Sequence, residues 1–257
     1  MRVKFFPLPT KNEGSLLRIP TNMTLIITET LTTEKLGKVF DHAILRPDQT
    51  TQDVIEGCNV AKEYNLASVC VKPCDVSQAS ELLKDTDVMV GTVISFPHGN
   101  STTEAKITES LQAIEDGAIE LDVVLNIGHL RSGNYDEVEK ELKDIITLSK
   151  TKNPDVSFKI IFETAYLTNE EIVKACEISK AAGAHFVKTS TGFASAGATY
   201  EHIELMRNSV PDAMEVKASG GIKTLEQVLK FLELGATRIG SSSSGQIVEE
   251  FKKIQKA

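Results

Sequence analysis

Two lysines at the ends of neighbouring β-rich runs form the most chemically informative pattern in the chain. Lys188 lies in the run His185–Ser190, and Lys217 lies in the next run, Met214–Ser219. Adjacent strands are about 4.8 Å apart, so the two side chains would be close neighbours. Charges about 4 Å apart repel by roughly 4 kcal/mol at an effective dielectric constant of about 20, which could lower one lysine pKa by about three units. The pattern predicts a neutral amine, the species that attacks a carbonyl group to form a Schiff base.

Asp122 is the carboxylate best placed to exchange protons with these lysines. Glu120 and Asp122 alternate in the run Ile119–Leu125, so they share one face, with Asp122 nearer the C-terminal end. An Asp within an apolar strand needs a charged or hydrogen-bonding partner, and a lysine facing it would supply one. Glu163 and Asp41 are weaker candidates for the same role. The alternative for all these groups is a structural network of lysine–carboxylate pairs.

A repeated βα pattern must position these residues. From about Leu36 the chain alternates short apolar runs with amphipathic helical segments, and no linker-like stretch interrupts it. The β-rich runs are Val39–Leu45, Ala67–Lys72, Val88–Ser95, Ile119–Leu125, Ser157–Glu163, His185–Ser190, Met214–Ser219 and Ala236–Gly240. Eight such units favour a single (β/α)8 TIM barrel over residues 31–257, with an open doubly wound sheet as the alternative. Residues 1–30 fit no unit and are interpreted as a short N-terminal extension.

Capping signals support the direction of this pattern, because they place helix starts after several of the strands. Capping boxes are predicted at Ser101 with Glu104, Thr168 with Glu171, and Thr224 with Gln227. Gly183 and Gly235 each stand between a helical segment and a strand, and are predicted to end the helices in the left-handed conformation.

Glycines and serines follow the last two β-rich runs, at the loops where many barrels bind phosphate. Gly220 and Gly221 follow the seventh run, and Gly240 begins a Gly-Ser-Ser-Ser-Ser-Gly segment after the eighth. Backbone N–H groups and hydroxyls at such loops bind anions, so a chain of net charge −8 could still hold an anionic ligand. Ordinary turn chemistry explains either cluster alone, but it explains both together less well.

The composition excludes several classes of protein. The 257 residues are 41% hydrophobic and 25% charged, which is typical of globular proteins and not of disordered or collagen-like chains. Acidic residues outnumber basic ones by 36 to 28, which argues against a nucleic-acid-binding face. Four cysteines without CxxC spacing predict reduced thiols in a cytoplasmic protein. No apolar stretch approaches the roughly 20 residues of a membrane span, and no export signal is expected.

Three histidines near strand ends raise the question of a metal site. His42 lies in the first run, and His98 and His129 follow the third and fourth runs, but none forms an HxH or HxxxH pair. We therefore predict no metal and no cofactor, with a histidine metal site as the alternative. Cys70 ends the second run and is interpreted as a packing residue, since no neighbouring feature suggests an activated thiolate.

Several of these segments together form a recognisable set of motifs. The most specific pair is Lys-Thr-Ser-Thr-Gly at Lys188 followed by Lys-Ala-Ser-Gly-Gly at Lys217. The other matching segments are Asp41–Leu45, Ser68–Val71, Phe96–Gly99, Glu120–Val124 and Arg238–Gly240. From about Phe40 to Phe251 the chain resembles the deoxyribose-phosphate aldolases, class I aldolases of the DeoC type.

The resemblance implies reversible, metal-free cleavage of 2-deoxy-D-ribose 5-phosphate to D-glyceraldehyde 3-phosphate and acetaldehyde, in deoxyribose phosphate catabolism. By this resemblance Lys188 is the Schiff-base lysine. Lys217 is the second lysine, which keeps Lys188 neutral and helps to transfer protons, and Asp122 belongs to the proton relay. A homodimer is also expected.

The resemblance also assigns substrate contacts. Asp41 matches a substrate-side aspartate, and the phosphate-binding positions match Gly220, Gly221, Ser242 and Ser243. The expected substrate-binding set further includes Thr189, Gly192 and Gly240. Two departures concern substrate positioning, because Ala43 stands where many members have Thr and Phe193 where some have Lys.

Two other functions fit the same residues. One is a different Schiff-base aldolase or a transaldolase acting on another phosphosugar. The other is a catalytically inactive barrel that binds a sugar phosphate as a sensor, although binding alone would need only the glycine–serine loops.

Overall fold

The computed structural model describes residues 31–256 and forms a closed barrel of eight parallel strands. Each strand pairs with the next in the sequence, and the eighth pairs with the first. The strands are β1 (Phe40–Ile44), β2 (Ser68–Val71), β3 (Met89–Ile94), β4 (Glu120–Val124), β5 (Ser157–Ile161), β6 (Phe186–Lys188), β7 (Glu215–Ser219) and β8 (Arg238–Ser241). All eight predicted runs contain a strand, so the (β/α)8 barrel is confirmed. The predicted extension, residues 1–30, lies outside the described residues.

Helices follow the strands and cover the outside of the barrel. They are α1 (Thr33–Gly37), α2 (Thr51–Glu63), α3 (Val76–Leu83), α4 (Thr103–Glu115), α5 (Ile127–Arg131), α6 (Tyr135–Lys152), α7 (Asn169–Ala181), α8 (Tyr200–Ser209), α9 (Leu225–Glu233) and α10 (Ser244–Gln255). Their buried faces pack with the outward-facing valines and isoleucines of the strands into one apolar core. None of the helices between residues 31 and 256 combines the length and apolar character needed to cross a bilayer.

Two of the three predicted capping boxes are present. Thr168 and Thr224 each accept a hydrogen bond from the third residue of the following helix, whose side chain bonds back. The box at Ser101 is wrong, because Thr102 is the residue that caps α4. Ser101 is held instead by Ser95, whose hydroxyl oxygen lies 3.2 Å from the Ser101 backbone nitrogen.

The predicted helix ends at Gly183 and Gly235 are confirmed. Their φ angles are +83° and +95°, in the left-handed region that glycine adopts without a side-chain clash. Each glycine turns the chain from a helix directly into the next strand.

The strand register places charged side chains side by side inside the barrel. Lys188 of β6 pairs with Lys217 of β7, which pairs in turn with Arg238 of β8. Asp122 of β4 pairs with Lys159 of β5. The predicted neighbourhood of Lys188 and Lys217 is confirmed, and the barrel interior at this level is charged rather than apolar.

Candidate active site

Asp122 lies at the centre of the charged network and joins the two lysines that the sequence singles out. Its Oδ2 accepts hydrogen bonds of 2.7 Å from both the Lys188 and the Lys217 ammonium groups. Lys217 also donates to Asp41 Oδ2 at 2.5 Å. Lys188, Lys217 and Asp122 are at most 3% exposed, so water competes little for these bonds.

The network continues through groups that the sequence reasoning did not place in the site. Lys159 lies 3.1 Å from Asp122 Oδ1 and donates to Glu120 Oε2 at 2.7 Å. Arg238 donates to Asp41 Oδ1 at 2.6 Å and reaches Glu120 at 3.2 Å. One feature of the sequence could have indicated Lys159. It is a charged residue in an otherwise apolar strand, and a charge inside a barrel requires buried partners.

The charges of this network do not balance when every group is ionised. The cations are Lys159, Lys188, Lys217 and Arg238, and the carboxylates are Asp41, Glu120 and Asp122. A buried excess of positive charge is unfavourable. Loss of one lysine proton restores the balance.

Lys188 is the lysine of this network that most readily loses its proton. Burial lowers its pKa, the charge of Lys217 lowers it further, and Asp122 opposes both without reversing them. Burial also lowers the pKa of Lys217, but Asp122 and Asp41 outweigh it and hold that pKa above its usual value. The sequence predicts a lowering by repulsion between the lysines, whereas burial is the larger cause.

The two carboxylates that hold Lys217 stay ionised. Burial favours their neutral forms, but surrounding cations outweigh it, so the pKa values of Asp41 and Asp122 lie below the usual range. The cations responsible are foremost Arg238 for Asp41 and Lys159 for Asp122. Cys70 also borders the site, and because burial raises its pKa to about 11 it is a thiol at neutral pH.

A cavity of about 180 Å³ extends from the lysines to the loops at the C-terminal ends of the strands. Its lining includes Asp41, Gly192, Gly220, Gly221, Gly240 and Ser242, all predicted substrate-binding residues, together with Lys188 and Lys217. Thr189 and Ser243 lie outside the lining that the described residues define. The Thr189 hydroxyl accepts from the Ser219 N–H at 3.1 Å, and the Ser243 N–H donates to Ser241 at 3.0 Å.

Gly240 leaves room for the Lys217 side chain. A Cβ at this position would lie 3.2 Å from Lys217 Cε and 2.9 Å from Ser219 Cβ. Both distances are tighter than ordinary van der Waals contact, so a larger residue would displace the lysine. Gly240 therefore shapes the amine site as well as the cavity wall.

The cavity wall offers hydrogen-bond donors suited to an anion. Within residues 31–256, the backbone N–H groups of Gly192, Gly221 and Ser242 donate to no protein acceptor. Lys223, which the sequence analysis did not select, lines the same cavity and adds a positive charge. Ser242 lies two residues before α10, and free loop amides close to a helix start, with a nearby lysine, are suited to binding a phosphate.

Both departures from the family pattern, Ala43 and Phe193, also line the cavity. The Phe193 ring packs edge-on against Phe96, with ring centroids 5.3 Å apart, so the loops after β6 and β3 meet at the mouth. This side of the mouth is therefore aromatic.

The three histidines do not converge on one site. His42 is buried with its Nδ1 2.8 Å from the Ser244 hydroxyl, and burial lowers its pKa to about 4. His129 lies 3.2 Å from Glu137, and His98 is exposed. Across residues 31–256, no three His, Cys, Asp or Glu side chains are grouped as metal ligands.

A second, larger cavity of about 390 Å³ lies on the outside of the barrel between α4, α5 and α6. Its lining contains Glu104, Glu137, Glu141 and Asp144, with Lys140 as its one lysine. None of the groups of the buried network reaches it. We assign the chemistry to the smaller cavity because its lining contains Lys188 and Lys217, and Lys188 is the lysine of the buried network whose pKa is lowered.

Comparison with known proteins agrees with this fold. A family model described as DeoC/LacD family aldolase matches residues 36–247. The deoxyribose-phosphate aldolase of Caldanaerobacter subterraneus subsp. tengcongensis is 50% identical over 218 residues, which are 85% of this chain and 94% of the relative. That of Staphylococcus epidermidis is 49% identical over 213 residues, 83% of this chain and 95% of the relative.

A solved structure extends the comparison to three dimensions. It is described as a unique tetrameric deoxyribose phosphate aldolase from Aeropyrum pernix, with 29% identity and a TM-score of 0.82. The match covers 91% of this chain and 99% of that one. Since the family model spans most of the chain and relatives near 50% identity align over nearly their full length, the chain belongs to the DeoC/LacD family of aldolases.

Proposed function

We propose that this chain is a class I aldolase that reversibly cleaves 2-deoxy-D-ribose 5-phosphate to D-glyceraldehyde 3-phosphate and acetaldehyde, through a Schiff base on Lys188. The observation that carries the proposal is the contact of Lys188 and Lys217 with one carboxylate oxygen of Asp122, at the base of the cavity. This arrangement supplies a neutral amine beside a protonated one.

The first step uses the neutral amine of Lys188. The amine adds to the C1 carbonyl of the open-chain sugar, and loss of water gives an imine whose protonated form withdraws electrons from C2. Lys217 is the proton donor for the departing water, since its pKa is held high and it shares Asp122 with Lys188.

The second step breaks the C2–C3 bond. A proton leaves the C3 hydroxyl, the bond electrons move into the protonated imine, and glyceraldehyde 3-phosphate departs from the enamine. The Lys217 amine, left neutral by the first step, accepts that proton through a bound water held by Asp122. Protonation of the enamine at C2 and addition of water then release acetaldehyde and regenerate the Lys188 amine.

The loops hold the phosphate and so fix the reacting carbon against the lysine. The amides of Gly192, Gly221 and Ser242 donate to the phosphate oxygens, and Lys223 balances part of its charge. Asp41, which lines the cavity beside Lys217, binds the sugar side.

The proposed reaction is tested by coupling glyceraldehyde 3-phosphate release to a dehydrogenase, with EDTA throughout. We expect cleavage of deoxyribose 5-phosphate by the wild type and none by Lys188→Met. Faster cleavage of a ketose phosphate would indicate a different aldolase or a transaldolase. Tight binding of the phosphosugar without turnover would indicate a sensor.

The assembly and location of the protein are part of the same proposal. We propose a homodimer in the cytoplasm, and the four cysteines, all unpaired, fit a reducing compartment. Light scattering after size-exclusion chromatography tests the dimer against the tetramer of the Aeropyrum pernix relative.

A further inference from the structure

Glu163 adopts the left-handed backbone conformation although it is not a glycine. It follows β5 directly, has φ +56° and ψ +63°, and is 2% exposed. Residues with a side chain adopt this conformation at a cost that the surrounding structure must offset, and such positions cluster at functional sites.

The left-handed conformation comes from an irregularity in the β5–β6 pairing. Phe162 N–H donates to Lys188 O, and Thr164 N–H donates to Thr189 O. Between these two hydrogen bonds the segment after β5 advances by two residues, whereas the segment at the end of β6 advances by only one. Glu163 is therefore the extra residue of a β-bulge. Bulges beside active sites redirect a side chain, and this one lies level with Lys188.

The redirected carboxylate holds the loop that follows β6. The Thr191 N–H lies 3.3 Å from each Glu163 oxygen, and the Thr191 hydroxyl also donates to the carboxylate. The Thr191 hydroxyl oxygen in turn accepts from the Phe193 N–H at 3.0 Å. One buried carboxylate thus fixes both sides of Gly192.

Gly192 is the residue whose position this chain of bonds determines. It has φ +89°, lines the cavity, and within residues 31–256 its N–H has no acceptor. A Cβ built on Gly192 would lie 3.7 Å from Gly220 Cα, so the two glycine-containing loops are neighbours. The turn at Gly192 therefore determines how the loop after β6 packs against the loop after β7 in the cavity wall.

We propose that Glu163 is a positioning residue for phosphate recognition: it orders the Thr191–Phe193 turn so that the Gly192 amide meets the phosphate of the substrate beside Gly220 and Gly221. This inference rests on the proposed function. Glu163 touches neither the amine nor the reacting carbon, so it acts on substrate binding and not on the chemical step.

Three variants test the proposal. Glu163→Gly removes the carboxylate at a position whose left-handed backbone suits glycine, so the fold is not strained by the change. Glu163→Gln keeps one acceptor oxygen for Thr191. Glu171→Gln is the matched control, because Glu171, in the first turn of α7, also accepts a threonine N–H, that of Thr168 at 2.8 Å, but lies away from the cavity.

Steady-state kinetics are measured with deoxyribose 5-phosphate and with unphosphorylated 2-deoxyribose. For Glu163→Gly we expect KM for the phosphosugar to rise roughly tenfold, as hydrogen bonds to a charged acceptor are lost. We expect kcat to change by less than about twofold and kcat/KM for 2-deoxyribose to be unchanged within that range, since neither depends on the phosphate. Glu163→Gln should recover part of the loss, and Glu171→Gln should match the wild type.

Binding is measured separately so that failure of the proposal can be told from failure of the proposed reaction. Calorimetric titration of deoxyribose 5-phosphate into Lys188→Met protein, with and without Glu163→Gly, does not require turnover. A roughly tenfold weaker affinity on removal of the carboxylate supports the proposal even if the wild type proves inactive. Unchanged affinity and KM, or equal losses with both sugars, would overturn it.

Discussion

Replacing Lys217 with methionine changes the charge balance around Lys188. Lys217 donates to Asp122 Oδ2 and to Asp41 Oδ2, and both acceptors are buried. Without it, the remaining cations of the network equal the carboxylates in number, so Lys188 is no longer the surplus charge. Asp122 Oδ2 also becomes available to Lys188 alone. Both changes favour the protonated form of Lys188.

The magnitude follows from the geometry. Both ammonium nitrogens lie 2.7 Å from the same oxygen, so their separation is close to 5 Å or less. Two unit charges about 5 Å apart repel by roughly 3 kcal/mol at an effective dielectric constant of about 20, which is about two pKa units. We therefore expect Lys217→Met to raise the Lys188 pKa by about two units, so that the variant needs a pH about two units higher than the wild type to reach the same neutral fraction.

The assay is the pH dependence of kcat/KM for deoxyribose 5-phosphate. The Lys217→Met profile should rise with pH well beyond the point at which the wild-type profile levels off, so the variant recovers activity in alkaline solution. A loss of the same size at every pH would mean that Lys217 only transfers protons. An unchanged profile would refute the electrostatic role altogether.

Lys223→Met is the matched control for this experiment. Lys223 lines the same cavity but is exposed and lies in the loop after β7. Its removal should raise KM for the phosphosugar without moving the pH profile, since screening by water weakens its effect on Lys188. A shifted profile in this control would show that any nearby charge has the same influence.

Three further predictions concern stability and packing. Lys159→Met leaves oxygens of Asp122 and Glu120 short of a buried partner, so urea unfolding should show a loss of about 3 kcal/mol; a loss below about 1 kcal/mol would contradict the assigned pairing. Burial lowers the pKa of His42 from 6.5 to about 4, so the unfolded chain takes up this proton first on acidification. The contribution of neutral, buried His42 to the free energy of unfolding is complete above pH 6.5 and falls by roughly 3 kcal/mol between pH 6.5 and pH 4. His42→Gln should therefore show a shallower decline in stability than the wild type across that pH window. An equal decline in both proteins would exclude His42 as a cause. Gly240→Ala should displace the Lys217 side chain and lower kcat about tenfold or more, whereas wild-type kcat would show that the lysine tolerates the added methyl group.

The sequence predicted the barrel because its units are local. Each β-rich run, helix and cap is encoded within about a dozen residues, and eight of them in succession admit few arrangements. Thr168 and Thr224 were predictable as caps for the same reason. The capping box predicted at Ser101 was wrong because the hydrogen-bond partner of Ser101 is Ser95. The φ of Ser95, +52°, bends the chain back in a way that residue spacing alone does not encode.

Part of the site was predictable from residue type. Lys188, Lys217 and Asp122 are charged groups in strands that are otherwise apolar, and the register places them in contact. Lys159 and Arg238 were missed because strands of a parallel barrel are buried on both faces. Their sequences lack the alternation that would show which side chains point inward.

The partners of Glu163 and His42 depend on contacts between distant segments. Glu163 was considered as a proton-transfer or ion-pair residue, but its carboxylate accepts hydrogen bonds from Thr191. His42 bonds to Ser244, which is 202 residues away in the chain. Neither contact follows from local periodicity, since each depends on how one loop or helix start packs against another strand.

Reductive trapping of the imine shows which lysine forms the Schiff base. Borohydride is added to the protein with deoxyribose 5-phosphate, and separately with acetaldehyde, in the presence of EDTA, and the modified lysine is located by peptide mass spectrometry. We expect a reduced adduct on Lys188 and none on Lys217, because burial lowers the pKa of Lys188 whereas Asp122 and Asp41 hold that of Lys217 above its usual value. No adduct despite turnover, or an adduct confined to another lysine, would contradict the assignment of Lys188.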